Sequence, residues 1–392
     1  MATRAAAMTG KGTGAIATVQ VLGDQAAQIL SRIFRPAGPS PGAWTPGQIA
    51  LGEVMDGQQV LDQVVLGCEG RNLFALHCHG NPLIVESVMA LLARNGAQLV
   101  QPEALWAEVL CSRGATTLEV EAHLAQSKAR TLHGVRLIAN QLRTGLVPMV
   151  RSWLERPAQE VRDQARVLLA GSTPARWVVE GCTVAIVGPP NTGKSTLLNA
   201  MARQAKALVS DVQGTTRDPV RAQYCTGPLY LELIDTAGLT PDPASEVDRA
   251  AQDQAFLALE AADLVLLVLD AGQPADQVSA LPLDLLARRP LLTVINKSDL
   301  PIRLTSEDLP PPLTSPVWIS ARYWTDLGAL DQAILQCSGV AGLGPDTPVV
   351  FTARQHCLVE ELVHGDPCPD PLPIVRQLLY GPLTPEAAGA PA

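Results

Sequence analysis

Residues 182–200 have the sequence CTVAIVGPPNTGKSTLLNA, in which an apolar run leads into two glycines, a lysine and a serine. The run at 183–187 is apolar enough for a strand that is buried on both faces. Residues 188–195 fit the pattern G-x-x-x-x-G-K-[ST] and precede a predicted helix. A glycine-rich loop in this position wraps phosphate groups with backbone N–H donors, and the helix N-terminus adds partial positive charge. The segment therefore predicts a P-loop.

The side chains of the predicted P-loop have different roles. Lys194 is expected to reach the β- and γ-phosphates, and the Ser195 hydroxyl is expected to ligate Mg²⁺. The predicted phosphate contacts in this loop are Asn191, Thr192, Gly193, Lys194, Ser195 and Thr196.

Two later segments extend the predicted phosphate site. SDVQGTTRD at 210–218 lies where a switch loop belongs, and its Thr216 is a candidate second Mg²⁺ ligand. DTAG at 235–238 follows an apolar run, so its carboxylate can hold a magnesium-bound water while its glycine N–H meets the γ-phosphate. Leu239 follows this motif where other GTPases use a glutamine, so another group must orient the attacking water. The phosphate contacts predicted here are Gly214, Thr215, Thr216, Asp235, Thr236, Ala237 and Gly238.

The base-binding end is predicted from NKSD at 296–299 and from Ser320-Ala321, each at the end of an apolar run. The Asp299 carboxylate can accept both N–H donors of the Watson-Crick edge of guanine, which adenine cannot offer. The predicted guanine contacts are Asn296, Lys297, Asp299, Ser320 and Ala321. The predicted ligands are therefore GTP and GDP, and the predicted activity is GTP hydrolysis.

The pattern of apolar residues predicts the fold class. Near-continuous apolar runs predict a mostly parallel, doubly wound α/β sheet, and they lie at 183–187, 229–234, 264–269, 291–295 and 317–319. Upstream segments predict a small α+β domain, with strands at 15–22, 60–66 and 73–79 and a helix at 82–94. After Thr116 the apolar residues recur at helical spacing, and Thr116 and Glu119 have the spacing of a capping box. Gly145 and Pro148 interrupt this helical pattern. A further helix over 158–170 is expected to end at Gly171 as a C-cap.

The composition and charge of the chain bear on its partners and on where it is expected to be found. The net charge is −9, so the chain lacks the overall positive field that attracts nucleic acid. Residues 128–176 are locally basic, which fits either an RNA contact or a solvated helix face, and we favour the second. The sequence has no membrane-length apolar run, no secretory signal and no C-x-x-C pair, so we expect a cytoplasmic protein with reduced thiols.

Six segments together resemble the TrmE-Era-Der class of GTPases and, within it, the MnmE (TrmE) family of wobble-uridine tRNA modification. They are the N-terminal GxGAIA, LHCHGNPLIVESVMALLARNGA at 76–97, GPPNTGKSTLLN, SDVQGTTRD, DTAGL and NKSD. The resemblance implies a homodimer, with tRNA and an MnmG-like flavoprotein as partners. It also implies a GTPase domain inserted in a short helical domain. The expected domains are an α+β domain at 1–115, a helical domain at 116–178 and 345–380, the GTPase domain at 179–340 and a loose tail at 381–392.

The resemblance also assigns the hydrolytic machinery. In the family a potassium ion bridges the phosphates, and the corresponding positions here are Asn191, Ser210, Val212 and Thr215. The water-orienting acid of the family lies in E-V-E-R after DTAG. The local match here is residues 246–249, in which Asp248 is one methylene shorter. Asp248 is therefore the candidate catalytic residue, and a solvated acid on a switch helix is the alternative.

Two departures from the family leave two functions open. The family ends in C-x-G-K, whereas this sequence has Leu379-Tyr-Gly-Pro followed by an Ala- and Pro-rich segment. The folate pocket of the family uses an Arg and a Glu, and the aligned positions are Gln20 and Ala75, so we do not expect folate to bind. The chain is thus either a component of tRNA modification or a GTP-driven switch or assembly factor that has lost the modification and folate sites.

Two groups of metal-ligand residue types are also present. His77 and His79 share one face of a predicted strand and flank Cys78, and packing in the core or a turn is the favoured interpretation. A looser group is interpreted as chance, and it consists of His356, Cys357, His364 and Cys368.

Overall fold

The computed structural model describes most of the chain. The described residues are 2–10, 12–39, 42–204, 221–236, 246–279, 281–313, 315–323, 325–364 and 370–383, with only the backbone described at 204, 246–253, 277 and 279. They form two compact units, one made of residues up to 124 and from 379 onward, the other of residues 125–378. No helix in the described ranges is long and apolar enough to cross a membrane.

The described part of the first unit contains a seven-stranded sheet with the order β3-β4-β5-β6-β2-β1-β7, antiparallel except for the β1–β7 pair. The strands are β1 (Arg4–Ala7), β2 (Ile16–Leu22), β3 (Phe34–Pro36), β4 (Ile49–Asp56), β5 (Gln59–Gly70), β6 (Leu73–His79) and β7 (Gln98–Leu99). The helices are α1 (Ala26–Ile33), α2 (Pro82–Arg94) and α3 (Pro102–Ser112). The structure contains the predicted strands near 15–22, 60–66 and 73–79 and the predicted helix over 82–94.

The two faces of this sheet bury different clusters, because successive residues of a strand point to opposite sides. Val21 and Phe74 pack into a core with Leu30 of α1 and Leu92 of α2. On the opposite face, Leu22 and Leu73 pack with Leu105 and Val109 of α3. One sheet therefore separates two helical layers.

A set of helices follows the first sheet. It comprises α4 (Thr117–Lys128), α5 (Leu132–Arg143), α6 (Leu146–Ser152), α7 (Ala158–Ala170) and α8 (Ser172–Glu180). The predicted capping box at the start of α4 is present, since Thr116 N–H donates to Glu119 Oε2 at 2.8 Å and Glu119 N–H to Thr116 Oγ1 at 3.3 Å. Pro148 does not end a helix, because it lies in the first turn of α6, where its missing N–H has no intrahelical partner to lose. The predicted helix over 158–170 is α7, and Gly171 is its C-cap as expected. The φ of Gly171 is −90° rather than left-handed, and α8 begins at the next residue.

The described part of the second unit contains a six-stranded sheet with the order β13-β12-β11-β8-β10-β9. The strands are β8 (Cys182–Val187), β9 (Arg221–Thr226), β10 (Leu229–Asp235), β11 (Leu264–Asp270), β12 (Leu291–Asn296) and β13 (Val317–Trp318). The helices around and after it are α9 (Lys194–Gln204), α10 (Glu246–Ala261), α11 (Asp276–Ser279), α12 (Leu283–Leu286), α13 (Leu327–Cys337), α14 (Ala353–His364) and α15 (Leu372–Tyr380). The mostly parallel sheet is confirmed. Strand β9, which pairs antiparallel with β10 at the edge, was not predicted from the sequence.

The inner strands of this sheet are buried along their length, as their apolar sequences require. Every residue of β11 is buried, and Val265, Leu267 and Leu269 pack with Ala255 and Leu259 of α10. The parallel strands β8, β10, β11 and β12 all end at the same edge of the sheet. In open α/β sheets ligands bind at that carboxyl edge, so the predicted nucleotide motifs are expected to lie there.

Candidate nucleotide site

The P-loop connects the end of β8 to the start of α9. A Cβ on Gly188 would lie 2.1 Å from Val268 O, and a Cβ on Gly193 would lie 2.4 Å from Asn296 Nδ2. Both glycines also have positive φ, at 148° and 94°. The loop is thus pressed against the ends of β11 and β12, and only residues without a side chain fit at these two points.

The P-loop lysine is folded onto its own loop. Lys194 is 8% exposed, and its Nζ donates to Gly188 O at 3.1 Å and to Pro189 O at 2.9 Å. Burial lowers the pKa of Lys194, and the nearby Asp235 carboxylate opposes that shift. The ammonium therefore sits within the loop that is predicted to hold phosphate, while Ser195 and Thr196 are exposed at the start of α9.

The Ser195 hydroxyl meets the carboxylate that ends β10. Ser195 Oγ donates to Asp235 Oδ2 at 2.5 Å. Asp235 Oδ1 is buried and has no hydrogen-bond partner among the described residues. A hydroxyl beside a partly unpaired carboxylate is a donor set that suits Mg²⁺, which binds hard oxygen ligands. Thr236, the next residue, is 6% exposed and donates from Oγ1 to Ile186 O at 2.9 Å, which fixes the start of the DTAG motif against β8.

The predicted guanine residues form one hydrogen-bonded group. Asn296 is 2% exposed, donates from Nδ2 to Thr192 O at 2.9 Å and accepts from Ala321 N–H at 3.0 Å. Ser320 Oγ donates to Asp299 Oδ1 at 2.5 Å, and Asp299 itself is exposed. Asn296 therefore joins the base-binding loops to the P-loop, and the Asp299 carboxylate is free to face solvent or a base.

Part of the predicted site lies outside the described residues. These positions are Ser210, Val212, Gly214, Thr215, Thr216, Ala237 and Gly238. Asp248 lies in α10, where the backbone is described and its side chain is not. The second Mg²⁺ ligand, the potassium loop and the candidate catalytic acid therefore stay predictions.

Asp270, the last residue of β11, was not predicted as a site residue from the sequence. Asp270 is 6% exposed and accepts from Lys297 Nζ at 2.7 Å. The available signal was its position, since an acid directly after the apolar run 264–269 comes to the same sheet edge as the P-loop.

Three of the histidines singled out from the sequence have polar partners, and Cys368 lies outside the described residues. His77 Nδ1 is 3.0 Å from Thr18 Oγ1, and His79 Nδ1 is 2.6 Å from the buried Asp62 carboxylate. His356 faces Glu360 one helical turn away at 3.5 Å. Within the described ranges, no group of three or more His, Cys, Asp or Glu side chains could hold a metal ion.

The positions aligned with the folate pocket are neighbours in the first sheet. Gln20 on β2 pairs in register with Ala75 on β6. Gln20 is 8% exposed and donates from Nε2 to Glu69 Oε2 at 2.7 Å, while its Oε1 is buried without a partner among the described residues. An amide and a methyl group stand at these two positions, so the pair does not fit a ligand that needs a cation and an anion there.

The architecture and the motifs define a class. A mostly parallel sheet with a P-loop at its carboxyl edge is the scaffold of P-loop GTPases, and residues 183–297 match the family model described as 50S ribosome-binding GTPase. The chain is therefore a GTPase, which binds GTP and GDP and hydrolyses GTP. Residues 3–103 match a second model, described as GTP-binding protein TrmE N-terminus. The chain belongs to the MnmE (TrmE) family.

The relatives align with most of the chain. The tRNA modification GTPase MnmE of Desulfotalea psychrophila (strain LSv54 / DSM 12343) is 30% identical over 392 residues, covering 88% of this chain and 82% of the relative. The tRNA modification GTPase MnmE of Bacteroides thetaiotaomicron is 27% identical over 393 residues, covering 88% of this chain and 84% of the relative. Among solved structures, a variant of Aquifex aeolicus Era bound to GDP.AlF4- is 32% identical and covers 40% of this chain and 56% of that chain, with a TM-score of 0.31.

Proposed function

We propose that this GTPase acts in tRNA modification at the wobble uridine. The observation that carries the proposal is one chain that contains both the TrmE-type segment at 3–103 and the GTPase segment at 183–297. This chain aligns with more than four-fifths of relatives named tRNA modification GTPase MnmE. Because its substrate would be tRNA, we place the reaction in the cytoplasm, with an MnmG-like flavoprotein as partner.

The proposal is tested by nucleoside mass spectrometry of tRNA from a deletion strain. Modified wobble uridines are expected to disappear and to return when the wild-type gene is supplied on a plasmid. The host must lack a second MnmE homologue, so that no other protein supplies the activity. Wobble uridines that stay fully modified in such a host would contradict the proposal.

A second candidate is a GTP-driven switch or assembly factor without a modification site. The observation that favours it is the pair formed by Gln20 and Ala75, which offers no charged partners to a folate. This function predicts GTP hydrolysis with unchanged tRNA nucleosides in the same deletion strain. The two candidates therefore give opposite results in one experiment.

For nucleotide binding, we propose the predicted residues in their predicted roles. The phosphates would be held by the P-loop residues 191–196, and Mg²⁺ would be held by Ser195 with Asp235 close by, as their hydrogen bond supports. When bound, Mg²⁺ supplies neutralisation of phosphate charge. Asn296 and Asp299 would face the base, which the bonds to Ala321 and Ser320 support.

We further propose that potassium assists hydrolysis through Asn191. Asn191 is exposed in the P-loop, so its side chain is accessible to a cation bound at the phosphates. GTP turnover in KCl is expected to exceed turnover in NaCl by about tenfold or more, because a fixed cation stabilises developing negative charge. Asn191→Ala should remove this difference, whereas Asn199→Ala, an exposed asparagine on α9, should retain it. Equal rates in the two salts for the wild type would contradict the potassium role.

The same assay tests Asp248 as the water-orienting acid. Asp248→Ala is expected to lower kcat by about 100-fold, the usual contribution of a positioned acid or base. The affinity for GDP should not change, because the proposed role is confined to the attacking water. A kcat within twofold of wild type would favour the alternative of a solvated acid.

We propose the domain organisation that the sequence predicts, with an α+β domain at 1–115, a helical domain from 116–178 and 345–380, the GTPase domain at 179–340 and a tail at 381–392. Hydrogen bonds between α5 and residues 347–349 support the helical domain being assembled from both sides of the GTPase segment. We also propose a homodimer. Analytical ultracentrifugation should give twice the mass of the chain, and a monomer at micromolar concentration would contradict this.

A further inference from the structure

Three strand ends meet at the carboxyl edge of the second sheet. Asp270 at the end of β11 lies in register beside Asn296 at the end of β12, and β11 also pairs with β8, which leads into the P-loop. Asp270 is thus placed between the segment that is predicted to hold phosphate and the segment that is predicted to hold the base. It belongs to neither of the motifs on its two sides.

Both oxygens of the Asp270 carboxylate have partners. Oδ1 accepts from Gly272 N–H at 2.9 Å, and Oδ2 accepts from Lys297 Nζ at 2.7 Å. The side chain of Asp270 is 9% exposed and that of Lys297 is 31% exposed. A mostly buried, charge-assisted hydrogen bond of this kind is stronger than an ion pair on the surface.

The same ammonium group also reaches the P-loop. Lys297 Nζ donates to Asn191 O at 2.6 Å, so Lys297 connects the end of β12 to the tip of the P-loop. The backbones of Lys297 and Asn191 have φ values of 64° and 62°, in the left-handed region. Residues other than glycine rarely adopt this conformation, so the surrounding contacts must hold it. The Asp270 and Asn191 oxygens are contacts that can do so.

We propose that Asp270 is a positioning residue for guanine-nucleotide binding. It acts through Lys297, whose ammonium it holds on Asn191 O. The bridge sets the distance between the P-loop and the NKSD loop. The two loops are therefore correctly spaced before the phosphates and the base bind. Binding a nucleotide across two loops that are not joined would cost additional conformational entropy.

The test is a set of variants in the full-length protein with GDP as the probe. Asp270→Asn keeps the size of the side chain and removes the charge that faces Lys297. GDP binding, measured by calorimetry, is expected to weaken about tenfold, and GDP dissociation, measured by stopped flow, to accelerate by a similar factor, as for the loss of one charge-assisted hydrogen bond. Asp270→Ser is made in parallel, since its hydroxyl can still accept from Gly272 N–H but cannot reach Lys297, and the same weakening is expected.

A matched control lies at the other end of β11. Asp263 accepts from Thr183 N–H at 2.9 Å and from Arg176 at 3.2 Å, so it has the same kinds of partner far from the carboxyl edge. Asp263→Asn should leave the affinity for GDP unchanged.

A double-mutant cycle separates positioning from a general structural role. If Asp270 acts through the ammonium, Asp270→Asn should add nothing to the loss of GDP affinity caused by Lys297→Met. Independent, additive losses would overturn the proposal, and so would wild-type GDP affinity in both Asp270→Asn and Asp270→Ser. These results concern nucleotide binding alone, so they are distinguishable from the outcome for tRNA modification.

Discussion

Asp299 accepts a short hydrogen bond from Ser320, at 2.5 Å, while the carboxylate stays exposed. One oxygen is thereby oriented, and the carboxylate keeps acceptor capacity for a ligand. A bidentate contact to guanine needs both oxygens in the plane of the base edge, and the hydrogen bond to Oδ1 restricts how the carboxylate can rotate.

Replacing Asp299 by Asn is expected to weaken GDP binding by about 100-fold, since one acceptor becomes a donor that faces the guanine amino group. Xanthine carries an oxygen where guanine carries that amino group, so Asp299→Asn should bind XDP more tightly than GDP. Calorimetry with both nucleotides measures the change. Asp308→Asn, at an exposed capping-box acid outside the site, is the control and should bind GDP as the wild type does. An unaltered preference for guanine in Asp299→Asn would contradict the pairing argument.

Most residues of the candidate site could be predicted from the spacing of the motifs. The P-loop, DTAG and NKSD patterns each follow a strand directly, and a motif at a strand end needs only local sequence to be placed at the sheet edge. Asp270 could not be predicted from motif spacing, because a single acidic residue after an apolar run is common. Its importance depends on Lys297, which is 27 residues away.

At the scale of elements, strand β9 is held to helix α13 by a polar contact. Tyr224 is 2% exposed and its hydroxyl donates to Asp331 Oδ1 at 2.7 Å. Burial raises the pKa of Tyr224 and also that of Asp331, while hydrogen bonds from Tyr224 and Thr226 lower the pKa of Asp331 in part. The pair therefore joins an edge strand to a helix. Because Asp331 is partly buried, its ionised form lowers the stability of the fold.

The raised pKa of Asp331 gives a pH-dependent prediction. Its folded-state pKa lies above the value of 3.8 for the free side chain, so its contribution to stability is full below 3.8 and is lost as the pH rises through the folded value. Asp331→Asn retains an acceptor for Tyr224 and removes the charge, so at pH 7.5 it should melt at or slightly above the wild-type temperature. At pH 4.5 the melting temperature of the wild type should rise relative to that of Asp331→Asn. A difference in melting temperature that does not vary between these pH values would contradict the argument.

Element prediction was best where the apolar pattern was long. The buried parallel strands β8, β10, β11 and β12 were placed within one or two residues of their observed bounds, because burial on both faces requires continuous apolar sequence. Strand β9 was missed, since an edge strand buries one side only and its sequence RAQYCT carries little apolar signal. The prediction that Pro148 breaks a helix was wrong, because proline is compatible with the first turn of a helix as well as with its end.

At the scale of the second unit, Gln141 joins segments that are distant in sequence. It is fully buried on α5, and its amide donates to Leu137 O at 2.9 Å and to Thr347 O at 3.0 Å. Its carbonyl oxygen accepts from Leu146 N–H and Val349 N–H, each at 3.0 Å. One side chain thus satisfies backbone groups on both sides of the GTPase segment.

Gln141→Leu is expected to destabilise the second unit by about 3 kcal/mol or more, because several buried backbone groups lose their hydrogen bonds to this side chain. Chemical denaturation should be followed in the transition that GDP shifts, since GDP stabilises only the unit that binds it. Gln159→Leu, at an exposed glutamine on α7, should change stability by less than about 0.5 kcal/mol. Equal stability of Gln141→Leu and Gln159→Leu would show that the buried amide does not hold the segments together.

The GTPase class, the inner strands and most nucleotide motifs could be predicted from local sequence, because strand burial and P-loop chemistry depend on neighbouring residues. The partners of Asp270, Lys297 and Gln141 depend on the tertiary structure. Lys297 reaches Asn191 across 106 residues, and Gln141 reaches Thr347 across 206. Such pairs form only after strand order and chain closure have brought distant segments together, and no local pattern encodes which buried polar group then meets which.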